Sequence, residues 1–307
     1  MTTFTLSIVR QQLARLSAHL VVALVALIVI GGATRVMEAG LACPDWPLCY
    51  GTLLPYRQMN TQVFLEWFHR LDALIVGIAL LVLAVVSLIW RRLLPRWLPW
   101  VSFVLVVMVA LQGCLGALTV LQLLPSGIVT AHLLLALTLV AILSGITQCL
   151  QQPAAIPAPL WWRSFSLLAL VAVMGQCLFG ARIATTWATQ ICLTRGDTCN
   201  WVALHRSTAI LVAGAVLLFV AQALLADGWT RQQWPFLSTA VVLLAGQAGL
   251  GAATLHFGLS QPLITTAHQL LAAVLVAVLA ALAARRPEPP SVTPFIVEGS
   301  TLETCHG

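Results

Sequence analysis

The stretch Glu66-Trp67-Phe68-His69-Arg70 stands where a polar loop turns into a long apolar run. It places a carboxylate, an imidazole and a guanidinium within about one helical turn at the start of a predicted membrane helix. Ionisable groups are costly inside a membrane, so those found there are candidates for function. A shorter version, His205-Arg206, begins a later apolar run. Each histidine is followed 63 residues later by another, His132 and His268.

The composition is that of an integral membrane protein. Of the 307 residues, 60% are hydrophobic and 8% are charged, and the mean hydropathy is +0.98. A soluble domain, by contrast, carries about 25% charged residues. The formal net charge of +6 comes from arginine alone, since the chain contains no lysine. We expect these arginines to set the membrane topology, and we expect no nucleic-acid partner.

Apolar runs long enough to cross a bilayer, about 20 residues each, occur eight times. Arginines cluster in alternate short loops, and arginine-rich short loops stay on the cytoplasmic side. Both termini are therefore predicted to be cytoplasmic, and the polar tail, residues 287–307, is expected to be disordered. The predicted spans are residues 15–36, 66–89, 98–119, 127–149, 162–184, 201–225, 234–255 and 262–284.

The second half of the chain repeats the first. The stretch Gln112–Thr119 (QGCLGALT) returns as Gln247–Thr254 (QAGLGAAT), and each half, residues 1–150 and 151–286, holds four spans. An even number of spans makes both halves enter the membrane in the same direction. The sequence therefore predicts an all-α integral membrane protein of two tandem four-helix bundles, related by an axis along the membrane normal. Small residues that let helices approach closely are Gly113, Gly116, Gly249 and Gly251.

The four histidines are predicted to lie at a similar shallow depth on the outer side. Two histidines on two helices of one bundle can face each other across an iron, and imidazole is a usual axial ligand of haem. We interpret His69 with His132, and His205 with His268, as two metal or haem ligand pairs. Zinc is the alternative metal, although no third ligand recurs with each pair. A membrane histidine can also hydrogen-bond a neighbouring helix.

One acidic residue breaks the repeat. Glu66 lies three residues before His69, whereas Val202 occupies the equivalent position in the second half. One half therefore looks catalytic and the other looks like a resident cofactor site. Guanidinium groups at the same outer level suit the paired carboxylates of haem propionates, or alternatively extend to the membrane interface. They belong to Arg35, Arg70, Arg182 and Arg206.

Two predicted outer loops each contain a pair of cysteines, Cys43 with Cys49 and Cys192 with Cys199. Thiols outside a bacterial inner membrane become oxidised, so each pair is expected to form a disulfide. The simpler interpretation is structural. A thiol pair that exchanges electrons is the alternative, although neither pair has the C-x-x-C spacing that favours it.

The stretch Gly31–Arg35 (GGATR), the loop Cys43–Cys49 (CPDWPLC), the stretch Glu66–Arg70 and the four histidines resemble the haem A synthase family. The resemblance covers nearly the whole chain up to residue 284 and is carried most specifically by the loop combined with Glu-x-x-His-Arg. It implies that the C8 methyl of haem O is oxidised to a formyl group by successive hydroxylations.

The resemblance also implies a division of roles. The N-terminal half would receive haem O through His69 and His132, with Glu66 as the catalytic acid. The C-terminal half would hold haem b through His205 and His268 and relay electrons. The implied location is a bacterial inner membrane, with the haem sites near the periplasmic face. The implied neighbours are a haem O synthase, cytochrome oxidase assembly factors and an electron donor that the sequence does not name.

Two other classes of protein compete with this interpretation. A di-haem electron-transfer cytochrome explains four histidines but leaves Glu66 unexplained. A transporter with an internal repeat would need broken helices and polar groups near the midplane of the membrane, whereas the polar residues here gather at one side.

Overall fold

A computed structural model describes residues 2–152, 156–185, 200–226, 228–257 and 261–287. Its regular structure is all-α, and eight helices are long and apolar enough to cross a membrane, as the hydropathy pattern predicts. These helices are α1 (Thr2–Val36), α2 (Thr61–Ile89), α3 (Leu98–Leu121), α4 (Ser126–Gln151), α5 (Leu160–Thr185), α6 (Asn200–Leu225), α7 (Trp234–His256) and α8 (Pro262–Ala284). Of the tail predicted to be disordered, residues 287–307, all but Pro287 lie outside the described ranges.

Two helices begin earlier than hydropathy predicts. Helix α2 starts at Thr61 because the side chain of Asn60 accepts a hydrogen bond from the amide of Val63 at 3.0 Å, which caps the first turn. Helix α1 starts at Thr2, well before the apolar run. Hydropathy locates the part of a helix that can lie in lipid, whereas caps and helix-forming polar residues decide where the helix begins.

Within each half, the helices pack in the order of the chain. Helices α1 to α4 contact one another in sequence and α4 returns to α1, and α5 to α8 do the same. Between the halves, α4 packs against α8, α1 against α8 and α4 against α5. The helices α4 and α8 therefore form the centre of the molecule, where buried leucines such as Leu139, Leu143, Leu275 and Leu279 are fully shielded.

Contacts between distant helices define two ends of the molecule. At one end, the guanidinium of Arg10 near the start of α1 donates to the carbonyl of Cys149 near the end of α4. We call this the arginine-rich end, because it also holds Arg163 and Arg286. At the other end, Arg35 near the end of α1 donates to the carbonyl of Ala184 near the end of α5. We call that the histidine end, for the residues described below.

Trp162 joins three elements near the arginine-rich end. It is fully buried, its ring centroid lies 5.0 Å from that of Phe219 and 4.9 Å from that of Trp229, and its Nε1 donates to the carbonyl of Leu282 at 2.9 Å. One side chain therefore fastens α5, α6 and α8 together.

Replacing this anchor should destabilise the fold. We expect Trp162→Ala to lower the free energy of unfolding by about 3–5 kcal/mol, because a large cavity is left in a packed core. The matched control is Trp100→Ala on α3, a residue that is 75% exposed, where the change should stay within about 0.5 kcal/mol. Denaturation of both variants in detergent checks this, and equal losses would contradict the packing described.

Candidate functional site

Each of the four histidines lies against a glycine of the preceding helix. The glycine is near the end of α1, α3, α5 or α7, and the histidine is near the start of α2, α4, α6 or α8. A Cβ atom on the glycine would press on Cε1 of the imidazole at Gly31, Gly180 and Gly251, whereas at Gly116 it would stand at an ordinary contact distance. The distance from this Cβ position to Cε1 is given for each of the four glycine–histidine pairs: Gly31 with His69 (3.0 Å), Gly116 with His132 (3.4 Å), Gly180 with His205 (3.2 Å) and Gly251 with His268 (3.1 Å).

Three of these imidazoles have a buried nitrogen without a hydrogen-bond partner. The Nδ1 atoms of His69, His132 and His268 are shielded from solvent and unpaired. Buried polar atoms in folded proteins are nearly always paired, so unpaired nitrogens at three equivalent positions are typical of a binding site. Within each half, the two imidazoles lie close enough for a charge on one to act on the other. The residues present therefore fit an iron held between two histidines.

Three of the four histidines are contacted by the side-chain amide of a glutamine on the preceding helix. On α5, Nε2 of Gln176 lies 2.7 Å from the carbonyl of His205 and 3.1 Å from its Nδ1. On α7, Nε2 of Gln247 lies 3.3 Å from Nε2 of His268. On α3, Nε2 of Gln112 donates to the backbone carbonyl of His132 at 2.9 Å.

In the sequence, Gln112 and Gln247 stand out only as part of a repeat, and Gln176 does not stand out. The available signal is the spacing, since each glutamine precedes the glycine of its pair by four residues and so shares its helix face. In α1 the equivalent position is Leu27, so His69 has no such glutamine. The site around His69 is thus the exception among the four.

Glu66 and Arg70 fasten the disulfide loop to α2. The predicted disulfide between Cys43 and Cys49 is present. Glu66 is buried; its Oε2 accepts from the amide of Cys43 at 2.8 Å, and its Oε1 accepts from Nη2 of Arg70 at 2.5 Å. Nη1 of Arg70 also donates to the carbonyls of Asp45, at 2.6 Å, and Leu48. The first turns of α2 therefore hold the CPDWPLC loop through the two residues that flank His69 in the Glu66–Arg70 stretch.

The other arginines of the predicted set occupy different settings. Arg35 donates to the carbonyl of Ala184 at 2.8 Å, which links the two halves. Nη1 of Arg182 lies 3.4 Å from the hydroxyl of Ser126, and its guanidinium lies 5.5 Å from the ring centroid of Trp201. These two arginines therefore bridge the halves at the histidine end, and a role toward propionates stays a prediction for them.

Some predicted residues lie outside what the structure describes or stand apart. Cys192 and Cys199 fall in residues 186–199, outside the described ranges. Arg206 is exposed at the start of α6. Among the described residues, no group of three or more His, Cys, Asp and Glu side chains could hold a metal ion. No third side chain of these types therefore joins either predicted histidine pair within the described ranges.

The hydrogen bonds of Arg70 to Glu66 and to the loop carbonyls, which we call the Arg70 clamp, can be tested directly. We expect Arg70→Gln to lower the free energy of unfolding by about 1–3 kcal/mol, because it leaves Glu66 and the loop carbonyls without their donor. The matched control is Arg57→Gln, which removes the same charge from an exposed side chain of the same loop. Proteinase K should cleave the loop faster in the Arg70 variant only, and equal cleavage in both would contradict the clamp.

Comparison with known proteins places these residues in context. The model of the family described as cytochrome oxidase assembly protein (COX15-CtaA) matches residues 14–280. A protein named "Heme A synthase" from Sphingopyxis alaskensis is 29% identical, over 85% of this chain and 88% of that protein. Proteins of the same name from Bradyrhizobium diazoefficiens (32% identical; 53% and 55% covered) and Shewanella oneidensis (30% identical; 57% and 58% covered) match shorter stretches. The family match spans all four glycine–histidine pairs and Glu66.

Proposed function

Since the chain belongs to the cytochrome oxidase assembly protein family (COX15-CtaA), we propose that it is an oxidoreductase that converts haem O to haem A. The reaction oxidises the C8 methyl of haem O to a formyl group by successive hydroxylations. The observation that carries the proposal is the set of four glycine–histidine pairs, of which, among the residues that the structure describes, only the pair at His69 has a buried carboxylate one helical turn away.

The two halves take different roles on one architecture. Residues 1–150 form the substrate half, and residues 151–286 form the cofactor half. The reciprocal contacts between the halves support a two-fold axis along the membrane normal, since α1 with α8 is the counterpart of α5 with α4. The tandem bundles thus present two comparable sites at one end.

The proposed location is a bacterial inner membrane, with both termini in the cytoplasm. The arginine-rich end would then face the cytoplasm, in line with the distribution of positive charge in membrane proteins. The histidine end would face the periplasm, where the disulfide between Cys43 and Cys49 is expected to persist. We propose the same oxidised state for Cys192 and Cys199.

In the substrate half, His69 and His132 would hold the iron of haem O, and Glu66 would act on the methyl group. A carboxylate accepts about four hydrogen bonds, and Glu66 receives one each from Cys43 and Arg70, so it keeps capacity for a proton. In surroundings of low dielectric constant, its charge acts strongly on positive charge that develops at the methyl carbon. The Arg70 clamp keeps this carboxylate in place.

In the cofactor half, His205 and His268 would hold haem b. When bound, haem b supplies one-electron transfer. The amides of Gln176 and Gln247 contact imidazole nitrogens of this half, whereas Gln112 reaches only a backbone carbonyl in the other. All four imidazoles also pair with a backbone group of the preceding helix, so the halves differ only in these additional side-chain amides, which suit a resident cofactor.

Outer arginines would pair with the haem propionates, because guanidinium binds carboxylates bidentately. Arg206 is exposed and suits this role in the cofactor half. Arg35, Arg70 and Arg182 already contact protein oxygens, so propionates would share their remaining donors. A haem O synthase, cytochrome oxidase assembly factors and an electron donor are the proposed neighbours.

One observation favours a second candidate, a di-haem electron-transfer cytochrome without its own chemistry. Glu66 has a structural role as acceptor for the Cys43 amide and the Arg70 guanidinium. The carboxylate therefore does not by itself require catalysis, and the two candidates differ in what happens to haem O.

Haem extraction and chromatography separate the two candidates. For the purified wild-type protein we expect haem b together with haem O or haem A. For Glu66→Gln, which keeps an acceptor for the Cys43 amide, we expect haem O or a hydroxylated intermediate to accumulate, because the negative charge is lost. If both proteins contain haem b alone, filling both sites, the oxidase proposal is wrong and the cytochrome stands.

The glycine–histidine pairs predict which glycines govern haem binding. We expect Gly251→Ala to lower the affinity for haem b by about tenfold or more, because the added Cβ would displace the imidazole of His268 and a disturbed ligand orientation costs this much at a metal site. Gly249→Ala is the matched control, since a Cβ there meets no atom within 4 Å. For haem O the corresponding comparison is Gly31→Ala, where the Cβ would stand 3.0 Å from Cε1 of His69, with Gly113→Ala as its control. The haem-to-protein ratio gives the readout, and equal losses within either comparison would count against these pairs.

A further inference from the structure

The arginine-rich end contains a cavity that the proposed chemistry does not use. Its volume is about 180 Å³, and it lies where α1, α4 and α8 meet the turn before α3. Arg10, Trp97, Gln152 and Arg286 line it. The cavity is at the opposite end of the molecule from the glycine–histidine pairs, so it is a separate feature.

The charge in this cavity is not neutralised by any described residue. Nη2 of Arg10 donates to the carbonyl of Cys149 at 3.2 Å, whereas its Nε is buried without a partner. The guanidinium of Arg286 is exposed, and Arg163 is close enough for its charge to act at Cys149. The acidic residues within the described ranges all belong to the loop after α1 or to the first half of α2. They are Glu38, Asp45, Glu66 and Asp72.

An apolar groove lies next to the cavity. It runs between α4, α5 and α8, measures about 290 Å³ and is lined by side chains such as Ile142, Leu167 and Leu170. Ala284 at the end of α8 lines both the groove and the cavity. A cationic cavity therefore adjoins an apolar groove at the boundary of the membrane-spanning region.

We propose that the cavity and the groove together bind one anionic phospholipid. Its phosphate would pair with Arg10 and Arg286, because guanidinium matches the geometry of phosphate oxygens, and an acyl chain would lie in the groove. Basic pockets between membrane helices are suited to anionic head groups. A free anion would use the arginines but not the groove. The proposal depends on the membrane-spanning fold and not on the haem chemistry.

Native mass spectrometry of the full-length protein in detergent tests this site with added phosphatidylglycerol or phosphatidylcholine. We expect wild type to retain one phosphatidylglycerol and the double variant Arg10→Gln/Arg286→Gln to retain about tenfold less. Arg286→Gln alone should show a smaller loss, and it serves if the double variant does not fold. The control Arg91→Gln/Arg92→Gln removes the same charge from exposed positions at this end and should behave as wild type. Equal retention in the cavity variants and the control would overturn the proposal.

A second measurement distinguishes the lipid from a free anion. Cys149 lines the cavity, whereas Cys114 is exposed on α3. We expect phosphatidylglycerol to slow maleimide modification of Cys149 but not of Cys114, with no effect of phosphatidylcholine or inorganic phosphate. If inorganic phosphate protects Cys149 as well as phosphatidylglycerol does, the site binds free anions and the lipid proposal is wrong.

Discussion

The contact between a glycine backbone and an imidazole ring, made four times, sets the geometry of this protein. Lipid is as apolar as the helix surfaces, so close packing and hydrogen bonds, more than the hydrophobic effect, hold membrane helices together. Each glycine–histidine pair lets two consecutive helices approach at the histidine end with the ring between them. The same contact therefore brings the helices together and positions a potential metal ligand. A substitution at one of these glycines therefore changes both the approach of two helices and the position of the imidazole between them.

The two halves are linked close to these pairs. Gln269, next to His268, donates to the carbonyl of Ile28 on α1 at 3.0 Å, and its Oε1 lies 2.3 Å from where a Cβ of Gly32 would stand. Gly32 follows the glycine that contacts His69. A short series of packed residues thus joins the proposed cofactor site to the proposed substrate site. In the repeat, Ala181 is equivalent to Gly32 and Leu133 is equivalent to Gln269. The side-chain hydrogen bond from α8 to α1 therefore has no counterpart from α4 to α5.

Hydropathy and arginine placement were sufficient to predict eight spans, because lipid forces every backbone group into a helix. The Cys43–Cys49 disulfide was predictable from its loop. The clamp of Arg70 on that loop was not, because backbone carbonyl acceptors leave no signature in a sequence. Of the glycines expected to bring helices together, Gly116 and Gly251 contact histidines, whereas a Cβ on Gly113 or Gly249 would meet nothing. Which glycine in a repeat faces the neighbouring helix depends on the rotation of its helix about the helix axis. The spacing of the glycines in the sequence does not determine that rotation.

The most direct test of the account is an experimental map of the protein purified with its haem. The account predicts planar density in each half, with iron bound by His69 and His132 in one half and by His205 and His268 in the other. Each imidazole should still lie against its glycine. Density between the halves, or an iron bound by any other side chain, would contradict the claim that the glycine–histidine pairs form the haem sites.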